Sequence, residues 1–161
     1  MTTAFLGIYL NDHLAGATAG VELARRTAAA QHAKPARAAL ASIAAEIAED
    51  RDALVEIMRA LDVPVRQYKV YAGWAAEKVG RLKFNGQLTS RSPLSDFIEL
   101  EGLRLGVEGK LALWRILVAV TAAEPRLDRS RLDDLVARAE RQISTLEDLR
   151  MAVGAQVLAA G

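Results

Sequence analysis

Apolar residues recur at helical spacing in four long stretches of this chain, set out as two pairs with a shorter amphipathic stretch between them. The pattern predicts long helices over about 4–31, 35–61, 93–123 and 130–159, and a crossover helix over about 64–84. Local punctuation supports these limits. Pro35 can sit in the first turn of a helix and follows a short polar link. Asp62-Val63-Pro64 repeats that device, and Asn85-Gly86 suits a left-handed cap at the end of the crossover helix. Ser92-Pro93 starts the third long helix, Glu124-Pro125 ends it, and Ser130 with Asp133 resembles a capping box for the last. The expected fold is all-α: four long antiparallel helices in one bundle domain spanning 1–161, with a shorter helix in the central crossover.

The faces of these helices differ. On the second, Leu40, Ile43, Ile47, Leu54, Ile57 and Leu61 form one narrow seam, interrupted by Asp50. The last helix carries a similar seam through Leu132, Leu135, Ala139, Ile143, Leu146 and Val153, with Gln142 at its edge. The third long helix has Leu100, Leu103, Val107, Leu111, Trp114 and Val118 on one side, and Ile98, Leu105 and Ile116 on the other. A helix apolar on two sides must be covered twice, by the crossover or by a second subunit, so a homodimer is expected. Gly16 and Gly20, and Gly102 and Gly106, lie four apart, with Gly109 extending the second strip. That spacing reads as close packing of helix backbones, with a ligand slot as the competing reading.

Composition narrows the classes. The chain is 52% hydrophobic and 5% aromatic, and about a fifth of it is alanine, which strengthens the helical reading. Its formal net charge of +1 gives no global attraction to nucleic acid or an anionic membrane. Without cysteine there is no disulfide, thiolate metal site or cysteine nucleophile, and a cytoplasmic location fits. The longest nearly apolar run, Ile116 to Ala123, is far short of a membrane span, and with Asp12 and His13 interrupting the first apolar run and no basic residues before it, a secretory leader is not expected. A soluble protein is expected. Phosphate loops, Gly-x-Ser-x-Gly elbows and His-Glu-x-x-His motifs are all absent from the sequence.

Helix lengths and the central crossover resemble the ferritin-like superfamily along nearly the whole chain. The resemblance implies a carboxylate-bridged metal site, with one Glu from each of two helices and Glu-x-x-His from each of the others. Here Glu46 is followed three positions later by Glu49, Glu140 by Ile143 and Glu147 by Arg150, so no histidine arrives. Glu22 projects opposite His13, and Glu101 and Glu108 share a flank with Arg104 and Arg115. A reduced set drawn from His13, Glu46, Asp50, Glu101 and Glu108 is the alternative metal site, for iron or manganese.

His13 lies at the edge of the inward stripe of the first helix, from which it could meet Asp50 as a buried pair, an oriented base or two metal ligands. The plainer expectation is that Asp50 has a structural partner such as His13, Arg51 or Arg104. His32, at the end of the first helix, suits the helix dipole. From Val65 to Arg91 six basic residues accompany one acidic residue, with Tyr68, Tyr71 and Trp74 interleaved. Arg66, Lys69 and Arg81 lie away from the apolar face of that stretch and could meet nucleic acid or another anionic partner.

The leading functional expectation is a non-catalytic helical protein that acts through assembly or partner binding. A metal-binding or redox protein, and a binder of anionic partners through the crossover, are the competing classes.

Overall fold

A computed structural model describes residues 3–66 and 92–159. Within them the chain forms four helices and no strand: α1 (Thr3–Ala30), α2 (Lys34–Ala60), α3 (Pro93–Val120) and α4 (Arg129–Ala159). All four expected long helices are present, within a few residues of the expected limits. The expected crossover helix lies outside the described residues, apart from its first residues up to Arg66. No helix among the described residues is long and apolar enough to cross a membrane.

The helix ends follow the local chemistry. Pro35 occupies the first turn of α2, and the Gln31 side chain accepts the backbone N–H groups of His32 and Ala33 in the link before it. The side chain of Ser92 accepts the N–H of Ser95 at the start of α3, where Pro93 needs no acceptor of its own. One cap differs from expectation: α4 starts at Arg129, and the Asp128 carboxylate accepts the Arg131 N–H at 3.1 Å, two residues ahead of the expected capping box at Ser130. A carboxylate is the stronger acceptor and also opposes the positive end of the helix dipole.

One hydrophobic cluster draws on all four helices, including Leu10 and Leu14 of α1, Leu40 and Leu54 of α2, Leu103 and Trp114 of α3, and Leu132 and Leu146 of α4. Each such side chain contributes on the order of 1.5–3 kcal/mol through removal from water. All six expected seam residues of α2 are buried, and the interrupting Asp50 is 1% exposed. Helix α1 packs on α2 and α3, α3 packs most extensively on α4, and α2 meets α4 lightly. Helix α3 buries Leu103, Val107 and Trp114, whereas on its second apolar side Leu105 and Ile116 are exposed and Ile98 is half-buried.

Polar contacts fix the ends. Asn11 of α1 donates to the Pro64 carbonyl at 3.1 Å and accepts the Arg66 N–H at 2.8 Å, which ties the chain after α2 to the first half of α1. Arg37 near the start of α2 donates to the Ala29 carbonyl near the end of α1. The start of α3 is held on the end of α1 by Glu99, which accepts from Arg26 and Thr27, each at 3.3 Å.

Candidate functional site

The site begins with a repeat on α3. Gly102, Gly106, Lys110 and Trp114 are four residues apart, which places them in a single row along one side of the helix. Two positions without side chains are followed by two long side chains ending in N–H donors. Across from this row α1 presents Tyr9, His13, Gly16 and Gly20, and α2 presents Ile47, Asp50 and Leu54. Together they surround a cavity of about 470 Å³ between α1, α2 and α3. Asp12, Gly16 and Gly106 of the lining are exposed, whereas Ile47, Leu54, Val107, Leu113 and Trp114 are buried apolar walls.

The glycines therefore act differently from the close packing expected of them. Among the described residues, a methyl group added at Gly16, Gly20, Gly106 or Gly109 would meet nothing within 4 Å, and at Gly102 only the Leu23 Cδ2 at 3.8 Å. The small residues hold space open between helices. Larger side chains elsewhere in the core set the helix separation, and the missing side chains then leave a slot.

Beside the cavity lies a buried polar cluster built around Asp50. Its Oδ2 accepts hydrogen bonds from the Lys110 ammonium of α3 and, at 3.4 Å, from the Gln142 amide of α4. Its Oδ1 forms an ion pair with Arg138 at 3.3 Å. Lys110 also donates to the Gln142 carbonyl oxygen, and the Gln142 amide nitrogen donates to Glu46 at 2.8 Å. Arg138 is shared with Glu49 at 2.7 Å. The interruption in the α2 seam is thus a junction of α2, α3 and α4, in which each buried charge faces an opposite charge or an amide.

Burial pushes the Lys110 ammonium below the usual lysine range, a shift that Asp50 opposes by its charge and hydrogen bond. Burial likewise lowers His13, with the Asp12 charge acting against it. The His13 ring meets Tyr9 edge-on, with centroids 4.6 Å apart. Burial raises the Tyr9 phenol. Trp114, 1% exposed, finds no acceptor for its indole N–H among the described residues.

The residues singled out in the sequence are dispersed by this geometry. His13 and Asp50 line the same cavity, but Asp50 takes Lys110, Gln142 and Arg138 as partners rather than His13, Arg51 or Arg104. Arg51 pairs with Asp52, and Arg104 with Glu108 and Glu147. Glu46 joins the Asp50 cluster through Gln142, whereas Glu101 binds Arg150 and Glu108 binds Arg104. Among the described residues no three of His, Asp and Glu gather in a way that could hold a metal ion. Glu22 is exposed and pairs with Arg25, and Glu147 pairs with the Arg150 that follows it. Arg66 is exposed beyond the end of α2, while Lys69 and Arg81 lie outside the described residues.

Sequence reasoning missed Lys110 and Arg138. A signal for Lys110 was present: it is the one charged member of the Gly102–Gly106–Lys110–Trp114 row, and Asp50 is the one charge in the α2 seam. Arg138 carries no such signal, because it sits among other charged positions of α4. No protein-family model, curated protein or solved structure matches the chain.

Proposed function

We propose that this protein is a non-catalytic, ferritin-like bundle that acts by binding a small, largely apolar ligand between α1, α2 and α3. The observation that carries the reading is the empty space in front of Gly16, Gly20, Gly106 and Gly109. Four helical glycines at which an added Cβ would meet no described residue cost helix stability, about 0.5–1 kcal/mol each against alanine. Occupancy of the space they leave would offset that cost. The pairing of Asp50 with Lys110 further supports binding over turnover, since the two groups neutralise one another. The Asn11 to Pro64, Arg37 to Ala29 and Glu99 to Arg26 contacts support an antiparallel arrangement, and the long link between α2 and α3 supports the ferritin-like layout. A cytoplasmic setting agrees with the cysteine-free sequence.

Titration with the uncharged dye N-phenyl-1-naphthylamine tests this reading. Dye fluorescence should rise saturably with the native protein, and Gly106→Leu, which fills the slot and favours the helix, should weaken binding at least tenfold while leaving the circular dichroism unchanged. No saturable signal, or equal binding by Gly106→Leu, overturns the proposal.

Leu105 and Ile116 favour a second reading that can coexist with the first. They are 67% and 47% exposed on the outer side of α3, and a second copy of the chain is the proposed cover. Sedimentation equilibrium should give a dimer that becomes a monomer in Leu105→Glu/Ile116→Glu; a native monomer at micromolar concentration removes this reading.

A further inference from the structure

The outer side of α3 is patterned beyond Leu105 and Ile116. Leu105, Gly109, Ala112, Ile116 and Ala119 follow one another at spacings of four, three, four and three residues, and Gly102 and Ile98 continue the alternation toward the start of the helix. That is the repeat of a helix-pairing seam. The helix already spends Leu103, Val107 and Trp114 on the bundle core, whereas every member of this outer seam is exposed or half-buried. From Ile98 to Ala119 it runs for about 32 Å along the helix.

Side-chain size along the seam suits a copy of itself. The small residues Gly109 and Ala112 sit in the middle, with one large residue on either side, Leu105 and Ile116. Two such helices running in opposite directions, with Gly109 of each against Ala112 of the other, approach closely at the centre. Leu105 of each then meets Ile116 of the other.

Charge fixes both direction and register. One flank of the seam carries Glu101, Glu108 and Arg115, seven residues apart, and the other carries the uncharged Gly106, Leu113 and Val120. In a parallel pair the charged flank of each helix faces the uncharged flank of the other. In an antiparallel pair the charged flanks meet, and Glu108 faces Arg115 of the second copy twice by symmetry. Sliding the copies by one repeat sets Glu108 on Glu108 in one direction and Arg115 on Arg115 in the other, and like charges oppose both. Within their own chain Glu108 and Arg115 pair with Arg104 at 3.5 Å and Glu140 at 2.8 Å, yet their side chains remain 43% and 61% exposed and open to a second partner.

On the reading that a second copy covers Leu105 and Ile116, we infer that it binds as an antiparallel α3 pair, with Leu105 on Ile116 and Glu108 on Arg115 of the other copy, about a two-fold axis beside Gly109 and Ala112.

Exchange of charges tests the register. Glu108→Arg and Arg115→Glu should each weaken the dimer roughly tenfold in sedimentation equilibrium, since each sets like charges face to face. Mixed one to one, the two variants should associate with native affinity, because every altered side chain then faces its opposite. A folding defect in either variant could not produce that recovery. The chain has no cysteine, so Gly109→Cys mixed with Ala112→Cys under mild oxidation gives a second readout. The mixed disulfide should exceed either symmetric one. A native monomer removes the dimer and its register together. A native dimer unmoved by both charge variants, a mixture no tighter than its components, or symmetric disulfides in excess overturns the antiparallel register and leaves the dimer standing.

Discussion

Helix α3 is flanked by two junctions that use glycine in opposite ways. Toward α4 the contact is closed: a Cβ at Gly154 would come within 2.6 Å of the Phe97 ring, so the missing side chain is what lets the aromatic ring seat. Toward α1 the contact is open, and the glycines face a void lined at one side by a paired lysine and aspartate. The same residue type therefore marks a tight joint in one place and a recess in the other. What separates them is whether a neighbouring side chain fills the space. At Gly154 the filler is Phe97, which is itself covered by the Arg150 guanidinium at 5.8 Å.

The open side depends on its polar cluster, so breaking the cluster should have the largest effect. Asp50→Ala would leave Lys110 and Arg138 with one carboxylate fewer in a buried setting, a loss of about 3–5 kcal/mol measured by urea unfolding. The double variant Asp50→Leu/Lys110→Met should recover most of that loss, because both charges leave together and Arg138 keeps Glu49. If the double variant is as unstable as the single one, the cluster contributes something other than mutual neutralisation. On the closed side Gly154→Ala should cost about 1–2 kcal/mol, as overpacking against Phe97 exceeds the gain in helix propensity. A companion Phe97→Leu should relieve it.

The sequence carried the helices and most of their buried faces, because these depend on local periodicity. The α2 seam could be read residue by residue, and Asp50 stood out as its single exception. What Asp50 touches depends on the register between α2, α3 and α4, which is fixed by packing across residues 60 to 92 apart in the chain. Neither Lys110 nor Arg138 could be aligned with it from one sequence. The glycine strips were legible as strips, yet spacing alone does not separate a close crossing from a slot. That difference depends on the separation of the helices, which long-range packing sets. The absence of Glu-x-x-His argued against a di-iron site, and the structure adds that Glu46, Glu101 and Glu108 are each engaged by an amide or an arginine.

On the open side the same substitution should have the opposite sign. Gly16→Ala and Gly20→Ala place a methyl group where none of the described residues lies within 4 Å, and each should stabilise the protein by about 0.5–1 kcal/mol through helix propensity. Thermal unfolding of the two variants beside Gly154→Ala checks the contrast directly. Destabilisation by Gly16→Ala would mean that the recess is closed in solution and that the two junctions are alike.

The smallest expected effect is a pH dependence that belongs to the open side alone. Burial lowers the pKa of His13 in the folded protein, although Asp12 opposes the shift. Between that lowered value and the ordinary 6.5 of the unfolded chain, the unfolded state binds more protons, so stability rises with pH across the window and falls as pH drops through it. His13→Gln should flatten this slope between about pH 7 and 5, as read by urea midpoints at each pH. Asp12, Asp50, Arg51 and Lys110 share the lining with His13 and are the same in native protein and variant, so the difference between the two isolates the imidazole. A bound apolar ligand should steepen the slope, since it removes the water that would solvate an imidazolium in the recess. An unchanged slope in His13→Gln would place the titrating group outside the slot and leave His13 as part of its wall.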